Sequence, residues 1–162
     1  MQKIQALSLF STGLLLGLVP LFLSAQGEPA RAQATKISGK TLIAASEMKW
    51  APMPGLEGVL QVPLFGDPTK EAHRILYKWP AGTKAPVHTH TSGDRGMIVS
   101  GTLSLAVEGA PPKMLPAGSY FSLAGGVKHA TAVEGDAPCV FYLEREGAFD
   151  AIMVEPASAP KK

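Results

Sequence analysis

The chain has 162 residues, of which 46% are hydrophobic, and this length and composition fit one globular domain with its own core. Fifteen Lys and Arg against 13 Asp and Glu give a formal net charge of only +2, which argues against a nucleic acid or an anionic surface as partner. The single cysteine, Cys139, rules out an internal disulfide. Its apolar neighbours Val140 and Phe141 predict a buried thiol in a strand.

The first 25 residues have the pattern of a secretory signal peptide. Lys3 supplies a positive start, residues 4–23 are mostly apolar, and the small pair Ser24-Ala25 follows. We therefore expect cleavage after Ala25 and an exported protein, periplasmic or extracellular, with no stable membrane insertion afterwards. Cleavage after the small-residue pattern at 30–32 and an uncleaved anchor are the two alternatives.

The rest of the chain divides by composition into three parts. Residues 26–47 are small and polar and predict a flexible linker, and residues 156–162 predict a disordered tail. Between them, residues 48–155 predict one folded domain, because short apolar stretches recur there between Gly and Pro turns without a helical period. Many short strands of this kind indicate an all-β sandwich or barrel. The predicted strands cover residues 59–62, 72–79, 86–90, 96–100, 103–107, 119–123, 129–133, 139–144 and 151–154.

The predicted strand at 72–79 places His73, Ile75, Tyr77 and Trp79 on one face, because side chains alternate along a strand. We interpret His73 as a surface or structural residue. Tyr77 and Trp79 are expected to form part of the barrel wall.

Three of the four histidines form a pattern typical of a metal site. His88 and His90 are two residues apart on a predicted strand, so both imidazoles can point to one place. Asp94 follows four residues later across a bend, and His129 begins a later strand beyond Gly126. These side chains predict a mononuclear metal centre. The alternative is a barrel that keeps its histidines for packing or for hydrogen bonds to a ligand.

The first histidine group resembles a known family motif. The cupin family has the pattern G-x5-H-x-H-x3-E-x6-G, and this chain has Gly82, His88, His90, Asp94 and Gly101 at the same spacings. The acidic residue alone differs in type, with Asp replacing Glu.

The downstream histidine resembles the second cupin motif, G-x5-P-x-G-x2-H-x3-N. Gly118, Gly126 and His129 keep its spacing, whereas Ala124 and Val133 replace the Pro and the Asn. Short strings elsewhere resemble the small, single-domain, exported cupins of the ChrR-like type, many of which have no assigned activity. These strings are Trp50, Pro52, the turn at 66–68 and the segments at 115–119 and 146–149.

The resemblance implies a double-stranded β-helix, a single-domain jelly-roll barrel, with a metal bound inside by His88, His90, His129 and Asp94. Asp is one methylene shorter than Glu, which shortens its reach by about 1.5 Å, whereas metal–oxygen distances tolerate only about 0.2 Å. Asp94 therefore either ligates because the strand moves inward, or acts indirectly through a water or a histidine N–H. We expect direct or water-mediated participation.

The metal would be one divalent ion of Fe, Zn, Mn, Ni or Cu, which the ligand types alone do not distinguish. The resemblance implies a small-molecule substrate and dioxygenase-like chemistry, with Asp94 as the only candidate base and no other catalytic residue assigned. The alternative is a non-catalytic cupin that binds a metal or senses a small ligand. An apolar pocket lined by Tyr77, Phe121, Ile98 and Phe141 would favour catalysis. Two copies of the chain could also pair through their outer strands, so a homodimer is the alternative to a monomer.

Overall fold

The structure, a computed structural model, describes residues 41–154. The predicted signal peptide, the predicted linker as far as residue 40 and the predicted tail lie outside the described residues. At the end of the predicted linker, Ala45–Glu47 form a short 3-10 helix. Within the part that is described, no helix is long and apolar enough to cross a bilayer.

Within residues 41–154, eleven strands follow and form two antiparallel sheets, which confirms the predicted all-β barrel. The first sheet has the order β1-β2-β3-β10-β5-β8, and the second has the order β11-β4-β9-β6-β7. The strands are β1 (Ala51–Pro52), β2 (Leu60–Phe65), β3 (His73–Trp79), β4 (Lys84–Thr89), β5 (Asp94–Ser100), β6 (Thr102–Val107), β7 (Lys113–Pro116), β8 (Tyr120–Leu123), β9 (His129–Glu134), β10 (Cys139–Arg145) and β11 (Ile152–Met153).

Strict alternation of buried and partly exposed residues shapes the centre of the first sheet. Every second residue of β3 is buried, from His73 to Trp79, as the sequence predicted, and β10 repeats the pattern from Cys139 to Arg145. The Cys139 thiol is fully buried, which confirms that prediction, and burial raises its pKa to about 11. The inner faces of these two neighbouring strands supply much of the barrel core.

Three strand assignments differ from the prediction: the end of β2 and the two short strands β1 and β7, which were not predicted. Strand β2 continues through Pro63 as far as Phe65, whereas the sequence suggested that it ends at the proline. Pro63 is tolerated because β1 pairs only with Leu60 and Gln61, so β2 has a free edge there, and a register shift against β3 follows between Pro63 and Phe65. Strand β7 was not predicted, because its four residues contain a single buried side chain, Leu115.

Candidate metal centre

The three histidines predicted as ligands come together in the second sheet. His88 lies near the end of β4, directly opposite His129, the first residue of β9, and His90 follows β4. All three side chains are buried. Their ring centroids lie 4.3 Å apart for His88 and His129, 4.8 Å for His88 and His90, and 5.2 Å for His90 and His129. One ring nitrogen from each histidine lies within 4.8 Å of the others, so the three can hold a metal ion.

A turn of the second motif closes against the first motif. Gly126 adopts a φ of +81°, a left-handed conformation that side chains other than glycine rarely take. Its backbone N–H donates to the carbonyl oxygen of His90 at 2.9 Å. The glycine that precedes His129 by three residues therefore helps to hold the two histidine-bearing segments together.

Backbone carbonyls orient all three rings in the same way. In each histidine, Nδ1 lies at hydrogen-bonding distance from a carbonyl oxygen, which can only accept, so Nδ1 carries the proton and donates. This tautomer leaves Nε2 with a free lone pair, which is the form in which imidazole binds metals. The accepting oxygens are those of Pro86 for His88 (2.8 Å), Val127 for His129 (2.9 Å) and Asp150 for His90.

The surroundings keep two of these rings uncharged. Burial, followed by the nearby Arg145 guanidinium, lowers the pKa of His90 to about 4. Burial lowers the pKa of His129 as well. Neutral imidazole at physiological pH is what metal binding requires, because a protonated ring has no lone pair left for the ion.

Asp94 is the first residue of β5 and lies beside the histidines, buried and paired with Arg145. Arg145 Nε donates to Asp94 Oδ1 at 2.5 Å, and Arg145 Nη2 donates to Oδ2 at 2.8 Å. Oδ2 also lies 3.5 Å from His90 Nε2. Both carboxylate oxygens are thus held by one guanidinium, and Asp94 stands outside the three-histidine group.

Sequence reasoning missed Arg145 and two residues that support the site. The ring of Phe149 lies under the Arg145 guanidinium, 4.8 Å from its Cζ, and 5.9 Å from the His90 ring. The Asp150 carboxylate accepts hydrogen bonds from the backbone N–H and the hydroxyl of Thr91, next to His90. The alternation of β10 was the signal that could have found Arg145. It places Arg145 on the inner face, where a buried positive charge requires an acidic partner.

A cavity of about 370 Å³ reaches the histidines from the barrel interior. Tyr77, Phe121 and Phe141 line it as predicted, whereas Ile98 lies in the core away from it. The cavity is also lined by Trp79, Leu103, Leu105, Thr131, Leu143 and Phe149, together with Asp94, Arg145 and the three histidines.

One glycine shapes this cavity. A Cβ placed on Gly96 would lie 2.3 Å from the Phe121 ring, directly across the β5–β8 ladder. The absence of a side chain at Gly96 therefore lets the Phe121 ring approach the β5 backbone closely and form part of the cavity wall.

His73, the fourth histidine, is buried outside the group. Its Nδ1 donates to the carbonyl oxygens of Glu71 and Gly147, each at 3.0 Å, so its role is structural, one of the two placements predicted. Arg95 and Lys128 form exposed ion pairs with Glu146 and Glu108 and act as solvated surface charges.

The sequence matches the model of the ChrR cupin-like domain over residues 38–148, more than half of the chain. The chain belongs to this family. None of the curated proteins matches this cupin.

Solved structures show the same fold at low identity. The polyketide cyclase RemF from Streptomyces resistomycificus has a TM-score of 0.60 and 14% identity, covering 75% of this cupin and 90% of that chain. The DMSP lyase DddQ from Ruegeria pomeroyi has a TM-score of 0.56 and 20% identity, and the match covers 70% of this cupin and 64% of that chain. KdgF from Halomonas has a TM-score of 0.55 and 18% identity, and the match covers 65% of this cupin and 94% of that chain. At these identities the likeness is one of fold.

Proposed function

We propose that this cupin holds one divalent metal ion through His88, His90 and His129 and uses it to bind or transform a small organic molecule. One observation supports this most: three buried imidazoles are each tied by Nδ1 to a backbone carbonyl, which leaves three Nε2 lone pairs for a shared ion. The common centre distinguishes them from a histidine kept for packing, because His73 is also bonded through Nδ1 but lies outside the group.

The three nitrogen ligands suit Fe, Zn, Mn, Ni or Cu, and the ion would supply Lewis-acid or redox chemistry at the cavity. The residues of this chain would orient the ligands of the ion and surround its substrate. The carbonyl oxygens of Pro86, Val127 and Asp150 fix the imidazoles, and the aromatic walls exclude water and enclose the apolar part of a ligand. Among the reactions that such a site supports, we propose the oxygenase type.

Asp94 is proposed to act indirectly. The two contacts with Arg145 hold both of its oxygens, and its side chain is one methylene shorter than the Glu of the motif. Its predicted roles as direct ligand and as base stay predictions. In the indirect role, Asp94 lies close to His90 and balances the charge of Arg145.

A non-catalytic metal or ligand sensor is the second candidate. The cavity argues for the first, because a space of about 370 Å³ beside the histidines is in the range of small-molecule sites, and three of the four wall residues predicted for catalysis line it. We further propose that the protein is exported through residues 1–25 and that it dimerises through outer strands.

The decisive experiment is elemental analysis of the protein purified without chelators, compared with His90→Ala and His73→Gln. Wild type should carry about one equivalent of metal, His90→Ala should lose most of it and melt at a lower temperature, and His73→Gln should keep it. His73 is a matched control because it too is buried and bonded through Nδ1. Full metal content in a folded His90→Ala variant would refute the ligand set.

Catalysis is tested separately from binding. The metal-loaded protein should consume oxygen with at least one member of a panel of small phenols, diketones and thiols, and His90→Ala should not. Stoichiometric metal without oxygen consumption across the panel would favour the sensor.

A further inference from the structure

The charge balance of the cavity selects its ligand. Of the described residues that line it, only Asp94 and Arg145 carry ionised side chains. They neutralise each other through two hydrogen bonds, and both side chains are buried. The cavity wall is therefore electrically neutral before an ion enters.

A divalent ion held by three neutral imidazoles would bring two uncompensated positive charges into this space. Asp94, which would offset one of them, is already matched by Arg145. The next carboxylate, Asp150, is not part of the cavity wall, and its side chain is 35% exposed and bonded to Thr91. Uncompensated charge is costly beside an apolar wall, so the loaded site favours an anionic ligand over a neutral one of the same shape.

The remaining wall determines the other half of the ligand. Tyr77, Trp79, Phe121, Phe141 and Leu143 present mainly apolar surface to the cavity. A ligand body of hydrocarbon or aromatic character would bury its surface there.

We propose that the ligand of this site is a small organic oxyanion, a carboxylate or an enolate, with an apolar body, and that the Asp94–Arg145 pair sets this preference. The pair does so by removing from the site the one negative charge that would otherwise accompany the ion. This inference rests on the proposed metal centre.

Matched ligands test the preference in the wild-type protein. With zinc-loaded protein, isothermal titration calorimetry should show benzoate and hexanoate binding at least about tenfold more tightly than benzamide and hexanamide, which have nearly the same shape without the charge. Metal-free protein should lose this preference. Equal affinities for acid and amide, or no binding of either, would overturn the inference.

Two single variants should shift metal and anion affinity in opposite directions. Asp94→Asn leaves the Arg145 charge uncompensated, so zinc affinity should fall and benzoate affinity for the zinc-loaded form should rise. Arg145→Met leaves the Asp94 charge, so zinc should bind more tightly and benzoate at least about tenfold more weakly. The double variant should return both affinities towards wild type. A merely structural role for the pair would weaken both affinities in both single variants, and that result would contradict the inference.

The experiments separate the two proposals. Absence of zinc binding by the wild-type protein would refute the metal centre and the inference together. Stoichiometric zinc with no preference for the acids would refute the inference alone. If a single variant does not fold, as judged by circular dichroism, the comparison of acids with amides in wild type still decides.

Discussion

The two faces of the β5–β10 ladder carry the same pair of charges in opposite surroundings. On the inner face, Asp94 and Arg145 pair at 2.5 Å with side chains 5% and 2% exposed. The next residue along the chain in each case, Arg95 and Glu146, pairs at 2.7 Å on the outer face, with side chains 49% and 55% exposed. Two adjacent ion pairs thus differ mainly in their access to water.

That difference determines what each pair can do. Water screens the outer charges, and either can lose its partner and be solvated at once. The inner charges lie where solvation is weak, so each depends on the other and neither is available for another task without a cost. We therefore expect the inner pair to affect both the stability of the barrel and the charge of the proposed metal centre, and the outer pair to affect neither to a measurable degree.

The largest expected effect comes from breaking the inner pair. Arg145→Met should lower the free energy of unfolding of the metal-free protein by about 3–5 kcal/mol, because Asp94 is left buried without a counter-charge. Urea unfolding followed by circular dichroism measures this. Asp94→Asn should be destabilising too, and the double variant should lose much less than the sum of the two single losses. Additive losses would show that the pair is not coupled.

A smaller effect is expected from the glycine that shapes the cavity. Gly96→Ala should cost about 1–3 kcal/mol, because the new Cβ would overlap the Phe121 ring and the ring would have to move. Thermal unfolding measures the loss, and Phe121→Leu in the same protein should recover part of it. No recovery would mean that the two side chains do not meet as described.

Acidification should lower the stability of the metal-free protein, because the buried His90 ring resists protonation in the folded state. Burial lowers the pKa of His90 from its ordinary value of 6.5 to about 4 in the folded state. Between these two pH values, the unfolded chain binds a proton on His90 and the folded chain does not. Stability supplied by the neutral ring is therefore present above pH 6.5 and is lost as the pH falls towards 4. Melting temperatures between pH 7.5 and 4.5 should show this decline, and His90→Gln should make it shallower. An equally steep decline in that variant would locate the cause elsewhere.

The smallest effect is expected on the outer face. Arg95→Ala should leave the melting temperature within experimental scatter, at low salt as at high salt, because water replaces the lost contact with Glu146. Measured beside Arg145→Met, this variant gives the matched comparison of the same residue type one strand position from the inner pair. A loss as large as that of Arg145→Met would remove the distinction between the two faces.

Much of the site could be predicted because its residues are close in sequence or follow a fixed spacing. His88 and His90 share a face through strand alternation, and His129 keeps the spacing of the second motif after Gly126. The strands with regular alternation, such as β3 and β10, were predicted almost to their ends. Strand β7 was missed because four residues with one buried side chain carry no readable period.

The partner of Asp94 could not be predicted in the same way. The predicted strand ended at Glu144, one residue before Arg145, and the two paired residues are 51 positions apart. Alternation from Cys139 would have turned Arg145 inward, but it would not have shown which acid it meets. That depends on β10 lying next to β5, a long-range pairing of strands.

The all-β class, the cupin resemblance and the three histidines follow from strand period and motif spacing, which are local properties of the chain. The combination of charges at the site follows from the tertiary structure, because burial and strand neighbours exist only once the sheets are packed. The tertiary structure brought Arg145 to Asp94, placed Phe149 beside both Arg145 and His90, and brought Phe121 against Gly96. A carboxylate that the motif suggested as a metal ligand thereby gained a fixed cationic partner, since in a dry interior the nearest guanidinium is its strongest source of stabilisation.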